Sequence, residues 1–194
     1  MIQQVLFKVL DALDGLNIPY MIVGSFASNY WGRPRATHDA DVVIKIAPNK
    51  AADLAALLED EFYAPAFAIQ EAAERRGHFN VIHLELAFKV DLWVRKDTPY
   101  DQECFRRRRQ GTMFDRQVWI ASAEDTILSK LLWYRISPVL QRQLQDALEV
   151  YEIQEPNLDQ DYLDRWTVTL DVADLLAQIR EQAALPPDTQ EAQL

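Results

Sequence analysis

The stretch that decides the fold is Val23-Gly24-Ser25, followed after thirteen intervening residues by Asp39-Ala40-Asp41-Val42. An apolar run ends in Gly-Ser, and a segment long enough for a short helix leads to two carboxylates at positions i and i+2. Such residues of a strand point to the same face of a sheet. Neighbouring carboxylates disfavour each other's charged form. A divalent cation removes that conflict, so the spacing predicts metal-dependent chemistry on a phosphate-bearing substrate.

A third acid stands inside a later apolar segment, Phe88-Lys89-Val90-Asp91-Leu92-Trp93. If its strand neighbours that of the first two, Asp91 completes a set of oxygen ligands of the kind that Mg²⁺ prefers. Gly24 would let the backbone pass close to a triphosphate, and Ser25 would open a helix whose N–H groups can bind it.

Simpler interpretations of the same acids stay open. Asp39 and Asp41 could be exposed carboxylates at the start of a strand, paired with arginines of the preceding loop, Arg33 and Arg35. Asp91 could form a salt bridge with Lys89 or with Lys45. An acid inside an apolar strand needs a partner of some kind, because a buried charge without one is costly.

Periodicity along the chain predicts an α+β protein with a mixed sheet flanked by helices and a C-terminal helical subdomain. Helices are expected over residues 2–16, 25–31, 50–62 and 100–109 and in four segments after residue 122, and strands over 18–23, 40–46, 78–84, 87–94 and 113–120. Ser122 is the expected cap of the first of the four later helices. Residues 63–77 show little periodicity. The expected domains are an α/β core over 1–121, a helical subdomain over 122–185 and a frayed polar tail over 186–194.

Charge and composition narrow the class of protein. The net charge of the 194-residue chain is −10. It comes almost wholly from residues 138–194, which hold 12 acidic and 3 basic side chains, against 18 and 17 in residues 1–137. An acidic protein is not expected to be a dedicated nucleic-acid binder. The run Arg106-Arg107-Arg108-Arg109 is typical of a solvated face, with a local RNA groove as the alternative.

The sequence also predicts the compartment. A lone cysteine, Cys104, excludes an internal disulfide. No apolar run approaches the roughly 20 residues that span a bilayer, and the first residues lack the basic region of a secretion signal. We therefore expect a cytoplasmic protein with no membrane partner.

These motifs, in this order and spacing, resemble the nucleotidyltransferase superfamily with the DNA polymerase β-like fold. Within it, the stretch 33–41, Arg-Pro-Arg-Ala-Thr-His-Asp-Ala-Asp, looks like the R-x-T-x-D-x-D form of small bacterial proteins akin to abortive-infection and toxin–antitoxin (AbiEii/MNT-type) nucleotidyltransferases. Residues 79–83, 89–92 and 123–131 are similar to further blocks of that group. The segment 84–88 and Leu132 depart from its pattern.

The resemblance implies roles for individual residues. Asp39, Asp41 and Asp91 become the catalytic and metal-binding carboxylates, with Mg²⁺ as one or two ions and Mn²⁺ as a substitute. The positions implied to bind the nucleotide and its phosphates are Gly24, Ser25, Arg35, Thr37, Lys130, Arg142 and Asp146. The implied partner is an NTP.

The implied activity is the transfer of a nucleoside monophosphate from an NTP to an acceptor hydroxyl on RNA, a protein or a small molecule. The alternative is a nucleotide-binding or partner-binding module of the same fold with little turnover, or one half of a toxin–antitoxin pair. Oligomeric state and acceptor stay open at this stage.

Overall fold

The structure is a computed structural model that describes residues 2–185. It divides into two compact units. The first contains the residues up to Phe26 and Ala36–Ala121, and the second contains Ala27–Arg35 and the residues from Ser122 onward. The expected tail over 186–194 lies outside the described residues. None of the helices within residues 2–185 is long and apolar enough to span a bilayer.

The first unit holds a mixed sheet with helices packed against it. Its strands are β1 (Tyr20–Val23), β2 (Asp39–Ile44), β3 (Phe62–Tyr63), β4 (His78–His83), β5 (Lys89–Val94), β6 (Arg109–Met113) and β7 (Arg116–Ile120). Its helices are α1 (Ile2–Gly15), the start of α2 (Gly24–Trp31), α3 (Ala51–Leu58) after a 3₁₀ turn at Pro48–Lys50, α4 (Ala66–Arg75) and α5 (Pro99–Arg107).

The order of strands in the sheet is β3-β4-β5-β2-β1-β7-β6. Strand β1 runs antiparallel to β2, while β2 and β5 are parallel. Apolar side chains at alternate positions, such as Val42, Ile44 and Leu92, are fully buried. On the opposite face, Phe105 of α5 packs with Met21 and covers one end of β1 and β2.

One expectation for residues 50–77 is wrong, and one helix in this range is not predicted by the sequence. Helix α3 ends at Leu58 rather than at Phe62, and Phe62 instead pairs with His83 as part of β3. Three acids in a row, residues 59–61, oppose the negative end of the helix dipole. The stretch without clear periodicity forms α4, whose buried face consists of Ile69, Ala72 and Ala73. Two of these are alanines, so the apolar signal in the sequence is weak.

The expectation of a single strand over 113–120 is also incomplete. Residues 109–120 form a hairpin in which β6 pairs antiparallel with β7. Its two turn residues, Phe114 and Asp115, have φ angles of 49° and 63°. The usual signal for such a turn is Asn-Gly or Asp-Gly, which is absent here.

The second unit is helical. It contains the end of α2 and the helices α6 (Ala123–Ile136), α7 (Gln141–Gln154), α8 (Gln160–Thr169) and α9 (Ala173–Ala183). The Ser122 side chain caps α6 by accepting a hydrogen bond from the Asp125 N–H at 3.1 Å, as the sequence predicts. The loop after α2 packs on α7, and a Cβ at Gly32 would lie 3.0 Å from Cγ2 of Val150.

Candidate active site

The pairing of β2 with β5 gathers the predicted carboxylates of the first unit on one face of the sheet. Asp41 lies directly opposite Asp91, and Asp39 lies opposite Lys89. Because alternate residues of a strand share a face, all four side chains lie on the same side. The strand of Asp91 is thus a neighbour of the strand of the first two aspartates, as the interpretation of the sequence requires.

Each carboxylate has a different neighbour. The Trp93 indole N–H donates to Oδ1 of Asp41 at 3.2 Å. The hydroxyl of Thr37 lies 3.1 Å from Oδ1 of Asp39. The Nζ atom of Lys89 lies 2.7 Å from Oδ2 of Asp91. The salt bridge between Lys89 and Asp91, left open by the sequence, is therefore present.

Gly24 stands against the Asp41 carboxylate at the start of α2. Its φ angle of 60° is in the left-handed region. A Cβ at this position would lie 2.9 Å from both Cβ and Cγ of Asp41, and closer still to Oδ2. Only glycine fits without a shift, because both the backbone angle and the close approach exclude a side chain. Ser25 follows in the first turn of the helix and is half-buried.

The fit of a divalent cation depends on Asp91. The Oδ1 atom of this residue is buried and has no hydrogen-bond partner among the described residues. Within residues 2–185, however, no three His, Cys, Asp or Glu side chains are grouped closely enough to hold a metal ion as they stand. Carboxylate oxygens are ligands that suit Mg²⁺. The third carboxylate, that of Asp91, is bound in this structure by the ammonium of Lys89.

The electrostatics of the site centre on Lys89. Its hydrogen bond to Asp91 raises the pKa of the lysine; partial burial opposes this rise, and the charges of Asp91, Asp39 and Asp41 add to it. The three carboxylates and one ammonium carry a formal charge of −2. A cationic ligand is thus favoured at this face of the sheet.

The predicted phosphate-binding cations form a cluster with Asp146 in the second unit. Arg35 donates to both oxygens of Asp146, from Nε at 2.9 Å and from its terminal nitrogen at 2.8 Å. Lys130 donates to Oδ2 at 2.6 Å, and the Ser28 hydroxyl lies 3.4 Å from the same oxygen. Lys130 and Asp146 are 3% and 4% exposed.

The two cations decide the state of Asp146. Burial by itself raises the pKa of this carboxyl, but the hydrogen bonds and charges of Arg35 and Lys130 outweigh it and lower the pKa below the ordinary 3.8. Two cations thus converge on one buried carboxylate. The cluster of Arg35, Lys130 and Asp146 has a structural role, because it ties the loop after α2 to helices α6 and α7.

Arg142 lies apart from this cluster. It is exposed, and the partners of Asp146 among the described residues are Arg35, Lys130 and Ser28. Arg142 is thus not among the residues that contact Asp146, and its role at the nucleotide stays a prediction. The arginine that precedes Arg35 in the loop, Arg33, pairs with Glu152 at 3.2 Å.

The arginine run of the first unit is engaged in local contacts. Arg106 pairs with Glu103 at 2.6 Å. The guanidinium of Arg108 lies 4.5 Å and 4.7 Å from the ring centroids of Phe105 and Trp119, and burial lowers its pKa. Arg106 and Arg109 are exposed, whereas Arg107 and Arg108 are half-buried, so the solvated-face interpretation fits two of the four arginines.

Comparison with known proteins bears on the fold. No family model matches the sequence, and no curated protein matches it. The structure is similar to that of the antibiotic-resistance factor ANT(2'')-Ia, with 16% identity, a TM-score of 0.54 and coverage of 92% of this chain and 95% of that one. It is also similar to an antigenic nucleotidyltransferase-like protein from Paracoccidioides brasiliensis, with 17% identity, a TM-score of 0.51 and coverage of 90% of both chains.

The protein has a nucleotidyltransferase-like fold. A crystal structure of ANT(2'')-Ia in complex with adenylyl-2''-tobramycin matches 93% of this chain and 98% of that one at 18% identity, with a TM-score of 0.48. The two matches with TM-scores above 0.5 carry the assignment of the fold.

Sequence reasoning missed one side chain at this site. Trp93 lies two residues after Asp91 on the same face of β5, and its indole N–H holds Asp41 across the strand pair. His78 of the neighbouring strand stacks on it, with ring centroids 4.6 Å apart. Alternation along β5 could have placed Trp93 on the face of the carboxylates, but only the register shows which of them it reaches.

Proposed function

We propose that the protein transfers a nucleoside monophosphate from an NTP to an acceptor hydroxyl in a Mg²⁺-dependent reaction. The observation that carries this proposal is the register that sets Asp41 opposite Asp91, with Asp39 two residues before Asp41 on the same face. The nucleotidyltransferase-like fold supports it. Three carboxylates on one face repel one another, and the single ammonium of Lys89 offsets only part of their charge.

Residues of this chain have distinct tasks in the proposed reaction. The acceptor oxygen forms a bond to the α-phosphorus, the bond between that phosphorus and the bridging oxygen to the β-phosphate breaks, and pyrophosphate leaves with the electron pair. Asp91 orients the acceptor hydroxyl or receives its proton. Gly24 and Ser25 bring the backbone at the start of α2 to the triphosphate.

Asp39, Asp41 and Asp91 would hold the metal. When bound, Mg²⁺ supplies charge neutralisation for the phosphates and activation of the attacking oxygen. Trp93 keeps the Asp41 carboxylate oriented, and Thr37 contacts Asp39. Arg35, Lys130, Arg142 and Asp146 remain proposed contacts of the nucleotide, with the convergence of Arg35 and Lys130 on Asp146 as the support for three of them.

Calorimetric titration tests the proposal. Each of the four NTPs is titrated into the protein with Mg²⁺ and again with EDTA. We expect binding of at least one NTP that EDTA abolishes, and its loss in Asp39→Asn. Asp53→Asn is the matched control, because Asp53 is an exposed aspartate of α3 away from the predicted site, and it should bind as the wild type does.

A label then locates the acceptor. The NTP that binds is supplied with a radioactive α-phosphate, together with tRNA, cellular protein or a small-molecule fraction including an aminoglycoside. Transfer of label to one class, absent in Asp39→Asn, identifies it. Failure of every NTP to bind the folded protein contradicts the proposal.

One observation favours a second candidate, a nucleotide-binding or partner-binding module with little turnover. The salt bridge from Lys89 to Asp91 already satisfies one oxygen of the third carboxylate. Replacing Asp39 and Asp41 with Asn separates the two candidates. An enzyme loses transfer with its fold intact, whereas a module keeps its partner.

Membership of the small bacterial AbiEii/MNT-type group, with a cytoplasmic toxin–antitoxin role, is the narrower proposal. Its support is the stretch 33–41 and the block 123–131. Induced expression in a bacterial host is the test. Growth arrest that Asp39→Asn abolishes supports the role, and normal growth on expression of a folded wild-type protein contradicts a toxic activity.

A further inference from the structure

Lys89 places an ammonium group where the proposed function requires a metal ion. Its Nζ atom lies 2.7 Å from Oδ2 of Asp91. In the strand register Lys89 is also the residue opposite Asp39. The lysine therefore stands on the same face of the sheet as the three aspartates, opposite Asp39 and two residues before Asp91.

The two members of this salt bridge differ in freedom. The side chain of Asp91 is 11% exposed and that of Lys89 is 40% exposed. The carboxylate is thus held within the sheet, while the ammonium is at the end of a long, flexible stem that reaches solvent. If one partner moves, it is the lysine.

The second oxygen of Asp91 shows that the salt bridge leaves the carboxylate incompletely satisfied. Oδ1 is buried and has no hydrogen-bond partner among the described residues, and a buried acceptor without a partner is costly. In an ordinary exposed ion pair, water would bind the second carboxylate oxygen. Asp91 therefore has one oxygen, Oδ1, available to a second cation while Lys89 binds the other.

We propose that Lys89 competes with the metal for the Asp91 carboxylate, so that the metal reaches its full affinity only when the ammonium is displaced. The inference rests on the proposed function for the identity of the metal-binding face. With Lys89 in place, the protein keeps part of its carboxylate charge neutralised in the absence of metal. The like charge of the ammonium also weakens the binding of a metal that arrives alone.

The triphosphate completes this scheme. Once displaced, the Lys89 ammonium needs an anionic partner, and a bound NTP supplies one beside the metal. The metal and the NTP are therefore expected to bind more tightly together than either does alone, with Lys89 as the source of the coupling. A metal without nucleotide would leave the displaced ammonium only carboxylates that the metal already holds.

Mn²⁺ binding measured by electron paramagnetic resonance tests the inference without reference to activity. The dissociation constant of Mn²⁺ is measured for the wild type and for Lys89→Met, each with and without a non-hydrolysable NTP analogue. Lys45→Met is the matched control, since Lys45 is an exposed lysine that follows β2. Lys89→Gln, which keeps polarity and removes the charge, serves as a second variant.

In the absence of nucleotide, we expect Lys89→Met and Lys89→Gln to bind Mn²⁺ about tenfold more tightly than the wild type, because a positive charge a few ångströms from a divalent ion is removed. The analogue should improve Mn²⁺ affinity strongly in the wild type and in Lys45→Met, and much less in the two Lys89 variants. Melting temperatures in EDTA should fall in the Lys89 variants and recover when Mn²⁺ is added.

Equal or weaker Mn²⁺ affinity in the Lys89 variants overturns the inference, as does the absence of Mn²⁺ binding in every variant. Failure of the proposed function gives a different result. Mn²⁺ then binds more tightly to the Lys89 variants, but no NTP binds and no label is transferred.

Discussion

At the scale of single residues, Gly24 is the position with least tolerance for change. Its φ angle is 60°, and a Cβ would lie 2.9 Å from Cγ of Asp41. We expect Gly24→Ala to lower the free energy of unfolding by about 1–3 kcal/mol, through backbone strain and displacement of the Asp41 side chain. Urea denaturation measures the loss, and metal-dependent NTP binding should fall with it.

Gly15→Ala is the control for this variant. Gly15 ends α1, and a Cβ there would meet nothing within 4 Å. This change should leave stability unchanged or raise it by up to about 1 kcal/mol. Equal stability losses in the two variants would contradict the role assigned to the close approach of Gly24 to Asp41.

At the scale of elements, the hairpin of β6 and β7 carries strain in its turn. Asp115 has a φ angle of 63°, and a residue with a side chain is costly in that conformation. We expect Asp115→Gly to raise the free energy of unfolding by about 0.5–1 kcal/mol, because glycine adopts this conformation without steric cost. Urea denaturation measures the gain.

The matched control is Asp60→Gly, at an exposed turn residue that lacks a positive φ. There glycine only increases the freedom of the unfolded chain, so stability should stay the same or fall. A gain of equal size at both positions would show that strain in the hairpin is not the cause.

At the scale of the whole molecule, the salt bridges of Asp146 in the second unit make the free energy of unfolding depend on pH in the acid range. The folded-state pKa of Asp146 is lower than its ordinary 3.8. A lowered pKa means that the carboxylate contributes its full stability above the ordinary value and loses it as pH falls through the folded value. Above pH 5, Asp146→Asn should lower the free energy of unfolding by about 3–5 kcal/mol, since it removes the buried carboxylate on which Arg35 and Lys130 converge.

Urea denaturation between pH 7 and pH 3 tests this linkage. The difference between wild type and Asp146→Asn should shrink as pH falls below about 4. Asp174→Asn, which removes an exposed partner of Arg135, should cost less than about 1 kcal/mol. If Asp146→Asn does not fold, Lys130→Met provides a milder variant, because Arg35 keeps its two hydrogen bonds to Asp146. A difference that persists unchanged at pH 3 would assign the effect to packing.

The sequence by itself determined the features that depend on near neighbours along the chain. The i, i+2 spacing put Asp39 and Asp41 on one face of a strand, Ser122 capped α6, and the apolar setting of Asp91 marked it as a charge in need of a partner. Local signals failed where small residues carry the packing, as in α4, or where a turn lacks its usual residues, as at Phe114.

The tertiary structure alone decided which distant residues meet. The parallel register of β2 and β5 joins Asp41 to Asp91, and it brings Trp93 to Asp41. In the same way, packing in the second unit brings Arg35 and Lys130 together on Asp146, from positions 111 and 16 residues away in the chain. Local periodicity cannot specify such pairings, because their free energy comes from burial and charge neutralisation between segments far apart in the chain.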